Sequence, residues 1–162
     1  ATPFQLELAP HCDRIVIAGS LSRKKSEVGD IEFCCIPKKV IVNDDLFTSH
    51  AENCLGFVKA VDSYEKVKGD ARIGKYMQRV HPSGIKIDIF TAEQDTWGYI
   101  LMLRTGPKVF SQRMVIELRQ HGMCGEGGAI HNIANKKRIP CPEEEDFFRM
   151  VKIKFIDPKW RI

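Results

Sequence analysis

No run of the sequence approaches the ~20 consecutive apolar residues that a membrane-spanning helix requires, and the first residues lack the basic and apolar regions of a secretory leader. The reading is therefore an intracellular protein, cytoplasmic or nuclear, with no membrane partner. Cys-x-x-Cys is also missing. The six cysteines (Cys12, Cys34, Cys35, Cys54, Cys124, Cys141) form no regular framework. Cys34 and Cys35 are adjacent on a strand-like segment, so a disulfide between them would be strained. Reduced thiols follow, as in an intracellular compartment. The five histidines show neither triad spacing nor a zinc-ligand spacing with the cysteines. Repeats, low-complexity tracts and long linkers are absent too.

What remains is an ordinary globular composition, 43% hydrophobic and 28% charged over 162 residues. That is enough chain for one cored domain, or a domain with a small lobe. Net charge is only +4, but it is unevenly placed. Residues 1–100 carry 13 Lys and Arg against 14 Asp and Glu, whereas residues 101–162 carry 12 against 7. Acids gathered at a metal site and bases facing a polyanion would give this split.

Two short segments carry the chemistry. Arg14-Ile15-Val16-Ile17-Ala18 reads as a buried strand that ends at Gly19. Gly19 lets backbone approach a ligand, and Ser20 is placed to open a helix whose N–H groups face an anion. Arg23, Lys24 and Lys25 add positive charge. In Val28-Gly29-Asp30-Ile31-Glu32-Phe33 the acids alternate with apolar residues, so a strand over 28–36 puts both carboxylates on one face. Two adjacent acids repel unless a cation lies between them, and oxygen ligands beside phosphates favour Mg²⁺.

Elsewhere, Thr2 and Pro3 predict a helix over 3–9. Pro37-Lys38-Lys39 closes the acidic strand. Leu46, Phe47, Ala51, Leu55 and Val58 suggest a helix around 45–59. Residues 60–80 read as strand, turn at 68–70, then strand from Arg72 to Val80. His81–Gly84 is a turn, and Ile85–Phe90 alternates strictly, with Lys86 and Asp88 on one face. Trp97–Leu103 is a packed apolar segment, broken at Thr105-Gly106-Pro107. Lys108–His121 reads as a helix with Val109, Met114, Ile116 and Leu118 as its apolar residues. Gly125–Gly128 is a loop, Ile130–Ile133 and Arg138-Ile139 a hairpin, and Pro142–Met150 a helix with acids in its first turn. Trp97 and Trp160 are expected to pack.

Gly19-Ser20, Arg23, Asp30-Ile31-Glu32 and Asp88 together resemble the DNA polymerase β nucleotidyltransferase superfamily. Arg104-Thr105-Gly106-Pro107 with Phe110, the Glu144–Phe148 segment and Phe155–Arg161 narrow the resemblance to family X DNA polymerases. It covers roughly residues 14–162 in order. The chain looks like a minimal palm plus fingers, similar to the smallest viral polymerases of that family. The resemblance implies an α+β fold: a nucleotidyltransferase palm over residues 1–100, with a mixed β-sheet and flanking helices, and a small fingers-like lobe over 101–162.

It also implies an enzyme, a monomer that adds a nucleoside monophosphate from a nucleoside triphosphate to a nucleic acid 3′-hydroxyl. A short-gap repair DNA polymerase acting on primer–template or gapped DNA is the leading case. Asp30, Glu32 and Asp88 would be the catalytic carboxylates holding two Mg²⁺ ions, with Mn²⁺ able to substitute. Ser20 and Arg23, with Gly19 and the backbone at Gly29, would bind the triphosphate. Thr105 and Gly106 would lie along the sugar and base, and Lys86 would meet a primer phosphate. Glu32 replaces the Asp usual in family X. Leu103-Arg104 stands in place of an aromatic pair, and Lys108 and Ser111 stand where Asp and Asn are common. The alternatives are a template-independent, small-molecule or protein nucleotidyltransferase of the same fold, or a catalytically weak nucleic-acid-binding module.

Overall fold

The computed structural model describes residues 2–24 and 29–162. Lys25 and Val28, named above for charge and for the start of the acidic strand, lie outside the described residues. The described residues of Ala1–Val16 and Gly29–Thr91 form one compact unit, and those of Ile17–Val28 and Ala92–Ile162 form a second. The Gly19-Ser20 segment thus falls in the second unit. Among the described residues no helix is long and apolar enough to cross a membrane.

In the first unit, helix α1 (Pro3–Leu8) starts where Thr2 Oγ1 accepts a hydrogen bond from the Gln5 N–H at 3.1 Å. Proline at the first helical position needs no donor there. A five-stranded sheet follows, in the order β1 (Cys12–Ile17), β2 (Asp30–Pro37), β7 (Lys86–Thr91), β6 (Tyr76–Val80) and β5 (Glu65–Lys68). β2 and β7 run parallel, while β7–β6 and β6–β5 are antiparallel, so the sheet is mixed and the fold class is α+β. Phe33, Met77, Ile87 and Ile89 on one sheet face are buried, as are Phe4, Leu8, Phe57 and Val61 of the helices. Phe4 lies 5.4 Å from Phe33 and edge-on to Tyr64 at 4.9 Å. β1 is an edge strand, which leaves Ile15, Val16 and Ile17 half-buried rather than buried.

The helix expected around 45–59 does not form. Val40-Ile41-Val42 are β-branched and favour a strand. The Asp45 carboxylate accepts from the N–H groups of Phe47 and Thr48 at 2.7 and 2.8 Å, which turns the chain back. The result is a hairpin of β3 (Lys39–Asn43) and β4 (Ser49–Asn53), with helix α3 (Leu55–Asp62) starting only after Cys54. Leu46 and Phe47, counted above toward that helix, are 93% and 94% exposed at the hairpin tip.

The second unit holds the single-turn helix α2 (Gly19–Ser22), α4 (Trp97–Thr105), α5 (Lys108–Gln120), the three-stranded sheet β10-β9-β8 and α6 (Glu144–Met150). Its core is Tyr99, Met102, Phe110, Met114, Leu118, Ile130, Phe147 and Phe148. α5 buries Phe110, Met114 and Leu118, spaced i, i+4, i+8, and exposes Val109 and Ile116, because the stripe begins at Phe110. β8 (Met123–Glu126) extends the hairpin of β9 (Ala129–Asn132) and β10 (Arg138–Ile139) into residues read as a loop. Trp97 is buried, but Trp160 is 71% exposed, because the chain buries the neighbouring Arg161 instead.

Candidate metal centre and nucleotide-binding turn

The parallel register of β2 and β7 opposes Asp30 to Lys86 and Glu32 to Asp88. Alternation along each strand then places all four side chains on the face opposite Phe33, Ile87 and Ile89. One carboxylate oxygen from each of Asp30, Glu32 and Asp88 lies within 4.8 Å of the others. Asp88 is buried, and Asp30 and Glu32 are half-buried. Lys86 is exposed at the start of β7.

Asp88 is held from β6. Its Oδ1 accepts from the Tyr76 hydroxyl at 2.7 Å and from Gln78 Nε2 at 2.8 Å. Gln78 stands opposite Asp88 in the ladder, and the Tyr76 ring stacks on Phe90 at 4.9 Å. Two donors on Oδ1 fix the orientation of the Asp88 carboxylate. The donor set is oxygen throughout, without sulfur or imidazole, which fits a hard divalent ion such as Mg²⁺ or Mn²⁺. Tyr76 and Gln78 were not among the residues expected at this site. The signal was the alternation of Tyr76, Gln78 and Val80 with Met77 and Arg79, which sets them on the carboxylate face.

In the second unit Gly19 adopts φ +63°, a left-handed conformation that favours glycine, and Ala18 occupies the cap position ahead of it. Ser20 therefore lies within the first turn rather than at its start. α2 is too short for a helix dipole to matter, so any anion contact here rests on Ser20 and Arg23 themselves. Arg23 Nη1 donates to the Thr105 carbonyl at 3.1 Å. Its Nε is buried without a hydrogen-bond partner among the described residues. Thr105 ends α4, and Gly106 follows in extended backbone. A Cβ on Gly106 would overlap the Phe110 ring, so only glycine lets α5 begin this close to the turn. Leu103 packs against the core of this unit, and its carbonyl accepts from the Ser111 hydroxyl at 2.9 Å. Arg104 and Lys108 are exposed.

The structure thus brings together Asp30, Glu32, Asp88 and Lys86 within one unit, and Gly19, Ser20, Arg23, Thr105 and Gly106 within the other. Gly29 is exposed, and its chain neighbours aside no atom of the described residues lies within 4 Å of where a Cβ would stand. Compared with models of known protein families and with curated proteins, the chain matches none.

Proposed function

We propose that the chain is a metal-dependent nucleotidyltransferase of the DNA polymerase β superfamily, closest to a minimal family X polymerase. The reaction adds a nucleoside monophosphate to a nucleic acid 3′-hydroxyl, and its leading use is short-gap DNA repair. The observation that supports this most is the convergence of three carboxylate oxygens on one face of a mixed sheet, with one of the acids locked by Tyr76 and Gln78. Residues 1–100 are read as the palm and 101–162 as a fingers-like lobe.

The 3′-oxygen attacks the α-phosphorus in line, the bond to pyrophosphate breaks, and the hydroxyl proton passes to the Asp88 carboxylate or to water. Two Mg²⁺ ions, when held by Asp30, Glu32 and Asp88, would stabilise the attacking and leaving oxygens. Asp88 faces the primer terminus and helps the hydroxyl lose its proton. Asp30 and Glu32 keep their half-buried charges oriented toward the reacting phosphate. Ser20 and Arg23 hold the β- and γ-phosphates, a guanidinium being suited to forked contact with phosphate oxygens. The Thr105-Gly106 turn lies along the sugar and base, and Lys86 contacts a primer phosphate. Eleven of the twelve Lys and Arg in residues 101–162 are exposed, which favours a polymeric acceptor over a small molecule.

The test is incubation with Mg²⁺, labelled nucleoside triphosphates and a panel of acceptors: gapped duplex, primer–template, single strand and a small alcohol. Transfer to the gapped duplex with release of pyrophosphate is expected. Transfer confined to single strands or small acceptors would favour the template-independent or small-molecule enzyme, and DNA binding without transfer would favour the binding module.

A further inference from the structure

The exception among the twelve C-terminal cations is Arg161. It is 3% exposed, although it stands one residue from the last in the sequence and beside an exposed tryptophan. Its guanidinium lies 5.3, 5.3 and 5.6 Å from the ring centroids of Phe110, Phe148 and Phe155. Nε and Nη2 donate to the Ile156 carbonyl at 2.9 and 2.7 Å. Nη1 donates to Glu144 Oε1 at 2.5 Å and also to Thr105 Oγ1. Since Thr105 Oγ1 accepts from Arg161, its own single proton goes to the Leu101 carbonyl at 2.8 Å or to Glu144 at 3.1 Å.

We propose that Arg161 is a positioning residue for nucleotide binding, acting through Thr105 on Arg23. The inference rests on the nucleotidyltransferase reading above. Thr105 is gripped from two sides: its side chain by Arg161 and Glu144, and its carbonyl by Arg23 Nη1. The Phe110 ring that Arg161 covers is the ring against which Gly106 is pressed. The whole Thr105-Gly106 turn is therefore referenced to one guanidinium. Packing alone does not call for it. Burying an ion pair costs desolvation that apolar residues of similar volume avoid, and such replacements are often neutral or stabilising. What an apolar group cannot do is orient the Thr105 hydroxyl, and with it the peptide whose carbonyl sets the Arg23 side chain.

The experiment separates positioning from stability. Arg161→Met alone leaves the Glu144 carboxylate buried without its guanidinium, and its melting temperature should fall. Arg161→Met combined with Glu144→Leu restores an apolar core, and its melting temperature should recover. The readout is the dissociation constant for a non-hydrolysable nucleoside triphosphate in the presence of Mg²⁺, taken well below melting. The double variant should bind about tenfold to hundredfold more weakly than wild type, the range covered by loss of a charge-assisted hydrogen bond. In an Arg23→Ala background the same pair of substitutions should cost clearly less than in the wild-type background, because part of their effect runs through Arg23 and the rest through the Thr105-Gly106 turn itself. Recovery of nucleotide affinity along with melting temperature would overturn the proposal and leave the functional reading intact. So would additive losses in the Arg23→Ala background. Absence of nucleotide binding by the wild-type protein would overturn the functional reading itself, and this inference with it.

Discussion

Asp30→Asn should stabilise the metal-free protein while removing its response to divalent ions. In the structure the oxygens of Asp30, Glu32 and Asp88 come within 4.8 Å of one another. At that separation two like charges repel by about 3.5 kcal/mol at an effective dielectric of about 20, and by about 0.9 kcal/mol in bulk water. Asp30 and Glu32 are half-buried, so the true value falls between these limits, and salt lowers it further. Neutralising Asp30 should then relieve about 1–3 kcal/mol, which raises the melting temperature by about 2–10 °C for a chain of this size. Asparagine is nearly isosteric, so packing changes little. Mg²⁺ should reverse the order, because an ion that binds only the folded state stabilises in proportion to the logarithm of its concentration over its dissociation constant. The assay is thermal melting of both proteins in EDTA and across a Mg²⁺ series. A variant that melts at or below wild type in EDTA, or one that gains as much from Mg²⁺ as wild type does, would show that Asp30 neither crowds its neighbours nor holds the ion.

Removing the donors that lock Asp88, by Tyr76→Phe with Gln78→Leu, should weaken Mn²⁺ binding about tenfold, as loss of outer-shell partners commonly does; unchanged Mn²⁺ affinity by titration calorimetry would show that Asp88 needs no such support. Affinity for gapped DNA should fall linearly on a log–log plot against salt, and Lys86→Ala should reduce the slope by about one; a slope unaltered by the substitution removes Lys86 from the interface. At the hairpin, His50 Nδ1 lies 2.8 Å from Asp44 and Nε2 2.9 Å from Glu52. Hydrogen bonding to Asp44 and then to Glu52 raises its pKa above the usual 6.5. Its contribution is therefore complete below the unfolded value of about 6.5 and is lost as pH rises through the higher folded value. An NMR titration should place the imidazole above 6.5 and bring it down in Asp44→Asn; a midpoint at or below 6.5 contradicts the pairing.

Period-two alternation made the acids readable from the sequence, because Asp30-Ile31-Glu32 and Ile87-Asp88-Ile89 each assign faces without knowledge of neighbours. Register was not readable: nothing local says that Glu32 stands opposite Asp88, or that Gln78 stands opposite Asp88 on its other side. Helix α1 was legible from Thr2 and Pro3 because capping is local chemistry. The 45–59 segment was not, since Leu46 and Phe47 fit a helical stripe by chance while Asp45 turns the chain with hydrogen bonds a hydropathy pattern does not register. The C-terminal tail inverts expectation most sharply. Trp160 is exposed and Arg161 buried, because three aromatic rings, Glu144 and Thr105 from distant positions build a socket for a guanidinium. Such a socket exists only in the tertiary structure.

The most direct test of the central claim is single-nucleotide extension of a primer across a one-nucleotide gap, with Mg²⁺ and one complementary deoxynucleoside triphosphate, resolved on a sequencing gel. The wild-type protein should give a product one nucleotide longer, with pyrophosphate released in equal amount, and Asp30→Asn and Asp88→Asn, both still folded, should give none. Extension by either variant at a rate near wild type would contradict the assignment of these carboxylates. No extension by the wild-type protein, on a gapped substrate it demonstrably binds, would contradict the polymerase reading.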